Sequence, residues 1–462
     1  MSLKEVFEIN GKSDSFDLTK IVGINKDVES NNIQEETSKE STSFTLKQKV
    51  SLCMLATVEF TSYCSMSIMA PFYPREATAK GMSETLAGFV FSFYALVVFL
   101  SSPIFGKVLP KLGVKFTFIF GILTSGVCNI VFGTLQYIDN TFVFTLLSFI
   151  IRGTEALGAS AYSTAGYVLV INIFPKNGGV VRGILETFVG LGMSVGPAMG
   201  GLLFAIGGFG LPFYVVGMIS VMVAPINFYV LSTSDDYKVE VQSGSYLNIL
   251  KLPSVIITCC VVVVVSATWG FLDPTLEPHL RMYNLNAANI GLIFLLLSAT
   301  YGVFSPIWGF ISDKIKSYWT LMPLGLISSS VVLLFLGPSP VLSFLSSSLL
   351  LTIISLSILG VFVAMSVMPT YQGILDGAID GGFKDNLGTH SIVAGLWSSS
   401  YSLGEIIGPA LGGVLLQHWG FPRASTALAG MNFIFAIVTT AYFIIKKEKC
   451  SKCDVNTENV IQ

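Results

Sequence analysis

Charge is scarce in this chain. Only 12% of its 462 residues are Asp, Glu, Lys or Arg, against about 25% in an ordinary soluble domain. A water-facing surface for so long a chain needs far more charge, so a purely soluble fold is excluded. Histidine is nearly absent, with three residues, and no basic stripe exists for a nucleic acid to follow. The seven cysteines are scattered. Cys53, Cys64, Cys128, Cys259 and Cys260 fall in apolar stretches, and the Cys450-x-x-Cys453 pair lacks the second pair that a zinc site requires. No nucleotide-binding loop and no nucleophile–base arrangement stands out, so neither an enzyme nor a cofactor is expected. No Asn-x-Ser/Thr sequon occurs.

What fills the sequence is apolar length. A bilayer core of about 30 Å takes about 20 apolar residues per helix. Twelve segments meet that demand, near 49–73, 85–106, 116–136, 142–172, 183–206, 210–231, 252–273, 288–311, 318–337, 341–370, 390–416 and 424–445. Residues 1–45 are polar and mixed in charge, with too little apolar content to fold, and are expected to be a disordered tail. The remaining divisions are a first half over 46–232, a central loop over 233–250, a second half over 251–445 and a tail over 446–462. Lys107, Lys111, Lys115, Lys176, Arg182, Lys238, Lys251, Lys314, Lys316 and the lysines after 445 all fall in alternate connections. The positive-inside bias therefore places both termini in the cytosol.

The chain repeats itself. Ser102-Pro103-Ile104-Phe105-Gly106 returns as Ser305-Pro306-Ile307-Trp308-Gly309, 203 residues later. Gly183, Gly192, Gly196, Pro197, Gly200 and Gly201 return as Gly395, Gly404, Gly408, Pro409, Gly412 and Gly413, offset by 212. Two parallel six-helix repeats in an all-α membrane protein resemble the major facilitator superfamily. The run from Gly183 to Gly201 is similar to the helix-5 motif of proton-coupled antiporters in that superfamily, or serves helix packing alone. Gly309-Phe310-Ile311-Ser312-Asp313-Lys314 resembles the superfamily's loop motif. In the first half Pro110 stands where its acid belongs.

Ionisable residues inside spans cost at least roughly 2.5–3.5 kcal/mol each, so they mark function or pairing. They are Glu59, Arg152, Glu155, Glu186, Asp273 and Glu405, five acids to one base. Such a cavity suits cations, protons or an organic amine. Arg152 and Glu155 share a helix face and read as an ion pair. The resemblance gives that arginine a proton-relay role and makes Glu59, Arg152 and Glu155 the proton-coupling set. Trp397, Tyr401 and Glu405 recur every fourth residue, an aromatic stripe beside an acid that fits an ammonium group or ordinary packing. Trp269 and Asp273 repeat the pairing, and Pro274 is expected to break the helix there. Glu186, Asp273, Glu405, Trp397, Tyr401 and Trp269 are the substrate-binding candidates.

Three segments carry a closer likeness: Pro71-Phe72-Tyr73-Pro74-Arg75-Glu76-Ala77, the Leu185-to-Gly192 run, and Gly270-Phe271-Leu272-Asp273-Pro274-Thr275-Leu276. Together they resemble the vesicular amine transporter family, most nearly its polyamine branch. Ser62 stands where the helix-1 acid of monoamine members is expected. The resemblance implies proton/organic-cation antiport by alternating access, by a monomer in a vesicle or endosomal membrane. The alternatives are export of lipophilic cations across the plasma membrane, or a non-transporting receptor or scaffold on the same fold.

Overall fold

A computed structural model describes residues 44–174, 178–231, 246–315, 318–342, 344–385 and 387–461. The tail expected over 1–45 lies almost wholly outside the described residues, as does most of the 233–250 loop. The long helices of the first half are α1 (Leu46–Ser67), α3 (Glu84–Leu112), α4 (Val114–Gly133), α5 (Thr141–Ile173), α6 (Gly178–Gly207) and α7 (Gly210–Val230), with the short α2 (Tyr73–Ala79) after the first. The short α8 (Tyr246–Leu250) precedes the second half. That half comprises α9 (Pro253–Leu280), α10 (Ala287–Ile315), α11 (Tyr318–Leu336), α12 (Leu349–Val367), its continuation α13 (Thr370–Asp380), and α14 (Leu387–Ile461).

Ten described helices are long and apolar enough to cross a membrane. One of them, Ile392–Lys446, holds two spans joined without a loop at Gly420, whose φ of 71° and ψ of 165° only glycine adopts freely. The first helix, α1, is not among the ten; Lys47 and Lys49 stand at its start, and Glu59 with several Ser and Thr residues lowers its apolarity. Counting α1, and α14 as two, the described residues hold twelve membrane-spanning helices.

Two expectations are corrected. Pro274 does not break its helix: α9 runs on through Pro274 and Pro278 to Leu280. Proline is tolerated in a membrane helix when neighbouring groups re-satisfy the freed backbone; the carbonyl that Pro274 frees is that of Gly270, and the Thr275 hydroxyl donates to the next one, Phe271, at 2.6 Å. The expected span 341–370 begins later, at Leu349, after a connection that starts beyond Leu336.

From Ser51 onward the chain is a single unit. In the first half α4 packs on α5 and α7, and α3 on α5. In the second, α14 packs on α9 and α11, and α12 on α10 and α11. The halves meet along two seams, α3 against α14 and α6 against α10. The repeat exchanges these seams, since α3 corresponds to α10 and α6 to the first part of α14. Large apolar side chains such as Ile104, Phe116, Met222, Phe310 and Ile434 remain exposed, as suits a surface solvated by lipid tails.

Candidate functional site

The best-defined polar cluster surrounds Arg152, which is 1% exposed although it lies mid-helix on α5. Its Nη1 donates to Glu155 Oε2 at 2.7 Å, and Nη2 donates to the Met66 carbonyl at 3.4 Å. The guanidinium also lies over the rings of Tyr94 at 4.8 Å and Phe132 at 5.7 Å. Glu155 is fully buried, and its other oxygen accepts from Ser65 Oγ at 2.7 Å and Asn129 Nδ2 at 2.9 Å. A buried ion pair is tolerated when further hydrogen bonds satisfy both partners. Ser65 and Asn129 provide those bonds to Glu155 from α1 and α4, while Arg152 Nε has no hydrogen-bond partner among the described residues. Sequence reasoning missed both, because a neutral polar residue in an apolar run carries no charge signal.

Next to this cluster is a narrow cavity lined by Met66, Phe91, Tyr94, Arg152, Asp273, Glu405 and Pro409. It brings Asp273 from α9, Glu405 from α14 and Arg152 from α5 to one space between the halves. Glu405 is 5% exposed, and its Oε1 has no hydrogen-bond partner among the described residues. A buried carboxylate without a cation or donor is costly. Arg152 is already paired with Glu155, so Asp273 and Glu405 are the two acids on the lining with no cation partner among the described residues.

The aromatic candidates are not among the residues that line this cavity, whose aromatic lining is Phe91 and Tyr94. Trp397 and Tyr401 stack at 5.4 Å with rings inclined by 19°, and Trp397 Nε1 donates to Thr370 Oγ1 at 2.8 Å. Trp269 meets Tyr301 edge-on at 5.3 Å. Tyr94 was not among the sequence candidates, since only the packing of α3 brings it over Arg152.

Glu186 lies apart from the cavity lining. Arg182, one turn earlier on α6, reaches it at 2.7 Å, and both side chains are well exposed. Glu59 lies within electrostatic range of this pair. Tyr63 lies within electrostatic range of Glu59, Glu186, Arg182 and Glu405.

The repeated glycine–proline motif makes two kinds of contact. Within each half, Gly192, Gly196 and Gly200 bring α6 onto the backbone of α1 at Phe60, Cys64 and Ile68, while Gly404, Gly408 and Gly412 bring α14 onto α9. Across the halves, a β-carbon on Gly88 would stand 2.5 Å from the Pro409 carbonyl oxygen and 2.9 Å from Gly413 Cα. The counterpart on Gly291 would press on the Pro197 carbonyl and stand 3.0 Å from Ala198 Cα. Both seams are thus closed at the end where α3 begins, at Glu84. Toward the basic-loop end, Gly106, Gly183 and Gly309 meet nothing within 4 Å. Lys314 lies in the last turn of α10, and the Asp313 side chain falls outside the described residues.

Comparison with known proteins agrees with this architecture. The profile of the Major Facilitator Superfamily matches residues 55–375 and 257–454. The human MFS-type transporter SLC18B1 is 37% identical over 398 residues, 86% of this chain and 86% of that protein. Its mouse counterpart is 34% identical over 429 residues, 91% and 92% of the two chains. The rat chromaffin granule amine transporter is 22% identical over 353 residues, 76% of this chain and 64% of that protein. The crystal structure of a bacterial homolog of the human lysosomal transporter Spinster shares the fold, with a TM-score of 0.70 at 13% identity over 88% of this chain and 98% of that one. These relatives are transporters, not enzymes. The chain is a multi-pass membrane protein and a secondary transporter that belongs to the major facilitator superfamily, grouped within it with the SLC18B1 proteins.

Proposed function

We propose that the protein exchanges protons for a small organic cation, most simply a linear polyamine, across a vesicle membrane. The observation that carries this reading is Glu405, a buried acid with an unpartnered oxygen beside Asp273 in the cavity between the halves. One carboxylate that holds either a proton or an ammonium group couples the two fluxes by competition, because both cannot occupy it together. Two acids in one cavity favour a substrate with more than one positive centre. The stacked Trp397 and Tyr401 rings lie on α14 two turns and one turn before Glu405 and offer an aromatic face on that helix. In this reading the basic loops and both termini face the cytosol, the Glu84 end faces the lumen, and the working unit is a monomer.

Glu186 and Glu59 are assigned to the cavity's approach from the basic-loop side, where Arg182 holds Glu186 until substrate arrives. Arg152 and Glu155 belong to the proton-coupling set through their position against the cavity wall. The loop motif at Gly309, Asp313 and Lys314 belongs to the conformational switch, together with the paired glycines.

The test is transport by the purified protein in liposomes with an acid interior, comparing labelled spermidine, serotonin and a lipophilic cation. Spermidine uptake that collapses with the gradient, and in Glu405→Gln, supports the reading. Uptake of the lipophilic cation alone assigns the protein to drug export. Gradient-independent uptake rejects antiport, and ligand binding without uptake by any of the three supports a receptor.

A further inference from the structure

The two seams that close the Glu84 end are related by the repeat in backbone but differ in chemistry. On the α3/α14 seam, Arg281 at the end of α9 lies between two acids. Its Nη2 donates to Glu277 Oε2 at 2.8 Å and its Nε contacts both Glu277 oxygens at 3.2 Å, while Nη1 is 3.7 Å from Glu84 Oε1 in the other half. Glu277 is fully buried, and Arg281 and Glu84 are partly exposed. Beside them, Thr85 donates across the seam twice, from its backbone N to Gln417 Oε1 at 3.1 Å and from Oγ1 to the Gly413 carbonyl at 3.3 Å. The first backbone N–H groups of a helix have no partner inside it. Ser83 satisfies the one on Leu86 from within the first half, and Gln417 satisfies Thr85 from the second.

On the α6/α10 seam, the repeat offsets of 203 and 212 place Ala287, Ala288 and Ala205 where Glu84, Thr85 and Gln417 stand. The counterparts of Glu277 and Arg281 are Pro74 and Thr78. That seam keeps the close approach, with Gly201 pressed against the Ala287 carbonyl, and has none of these polar groups.

We propose that Glu84, Thr85, Arg281 and Gln417 form a one-sided polar latch that sets how readily the transporter opens at the Glu84 end. Opening there parts both seams, and the glycine contacts on each side are nearly matched. The difference in free energy between closed and open is therefore set by the seam that carries charge. Arg281 remains held by Glu277 within its own half when the seam parts, so it is never left uncompensated. Glu84 is the partner that comes free.

The latch concerns the opening equilibrium and needs no substrate, so it is tested separately from the transport reading. Spin labels at Phe142→Cys and Val341→Cys, exposed positions at the Glu84 end of the two halves, report the gap by pulsed electron resonance, with the exposed Cys53 replaced by serine and Cys450 and Cys453 likewise. Glu84→Gln, Arg281→Gln and Gln417→Ala should each raise the open-to-closed ratio about fivefold, as loss of a partly exposed polar contact does. Arg281→Lys, which keeps the charge, should recover part of the closed population. Gln417 is exposed, so its truncation tests the latch even if the charge variants fail to fold. An unchanged distance distribution in Gln417→Ala and in every charge variant that folds overturns the proposal.

Discussion

Asp273 on α9 and Glu405 on α14 line one cavity, and Arg152, the cation on its wall, is already claimed by Glu155. Two acids thus face a space with no free counter-charge among the described residues that line it. Removing either should weaken uptake of a polyamine at least tenfold, because a fully desolvated charge pair is lost. Loss of one acid should also narrow the preference between spermidine and a monoamine. Competition uptake in liposomes checks both. Equal losses for mono- and polycations would show that the acids do not count charges on the substrate.

Glu186 gives a different prediction. It is exposed and paired with Arg182, an arrangement worth about 1 kcal/mol or less. Glu186→Gln should raise KM several-fold with little change in kcat, whereas Glu405→Gln should lower kcat. Initial-rate kinetics at a fixed gradient separate the two. A matching fall in kcat in both variants would move Glu186 into the central site.

Asn129 should matter for stability more than its neutral side chain suggests. It donates to Glu155 Oε1 and to the Ser125 carbonyl, and is fully buried. Asn129→Ala leaves a carboxylate bond unmade, with an expected loss of roughly 1.5–3 kcal/mol. Thermal unfolding in detergent measures this, and an unchanged midpoint would show that Ser65 alone satisfies Glu155.

Glycines at the two ends of the bundle should respond oppositely to the same change. Gly88→Ala and Gly291→Ala put a methyl into a backbone contact on the closed seams, while Gly106→Ala and Gly309→Ala put it into open space. The first pair should abolish transport through loss of the state closed at the Glu84 end. The second should leave the spin-label distance distribution at the Glu84 end unchanged. Tolerance of alanine at both Gly88 and Gly291 would contradict the seam geometry.

Adding polar groups to the plain seam gives a further check. Ala288→Thr with Ala205→Gln copies the contacts of Thr85 and Gln417, and should slow opening at the Glu84 end. Label distances and uptake rates should shift together, in the sense opposite to Gln417→Ala.

The sequence was legible wherever it repeated or carried charge. Two offsets revealed the halves, and the intramembrane acids pointed to Asp273 and Glu405 before any packing was known. The rotation of each helix was harder to read. In a bilayer, lipid and a neighbouring helix are equally apolar, so no polar stripe marks which face of α3 bears Tyr94 or which face of α4 bears Asn129. Pro274 misled because a proline inside a membrane helix need not end it, and α9 continues unbroken to Leu280. The doubled glycine motif was visible, but its split between contacts inside each half and contacts across the halves required the structure.

Where Gly88 meets Pro409 and Gly291 meets Pro197, the helices touch backbone to backbone. Such a joint is thinner than a water molecule, so it leaves no room for a file of waters along which protons hop. In the proton-exchange reading proposed above, a carrier must not short-circuit the gradient it draws on, and these glycine contacts then serve as electrical insulation.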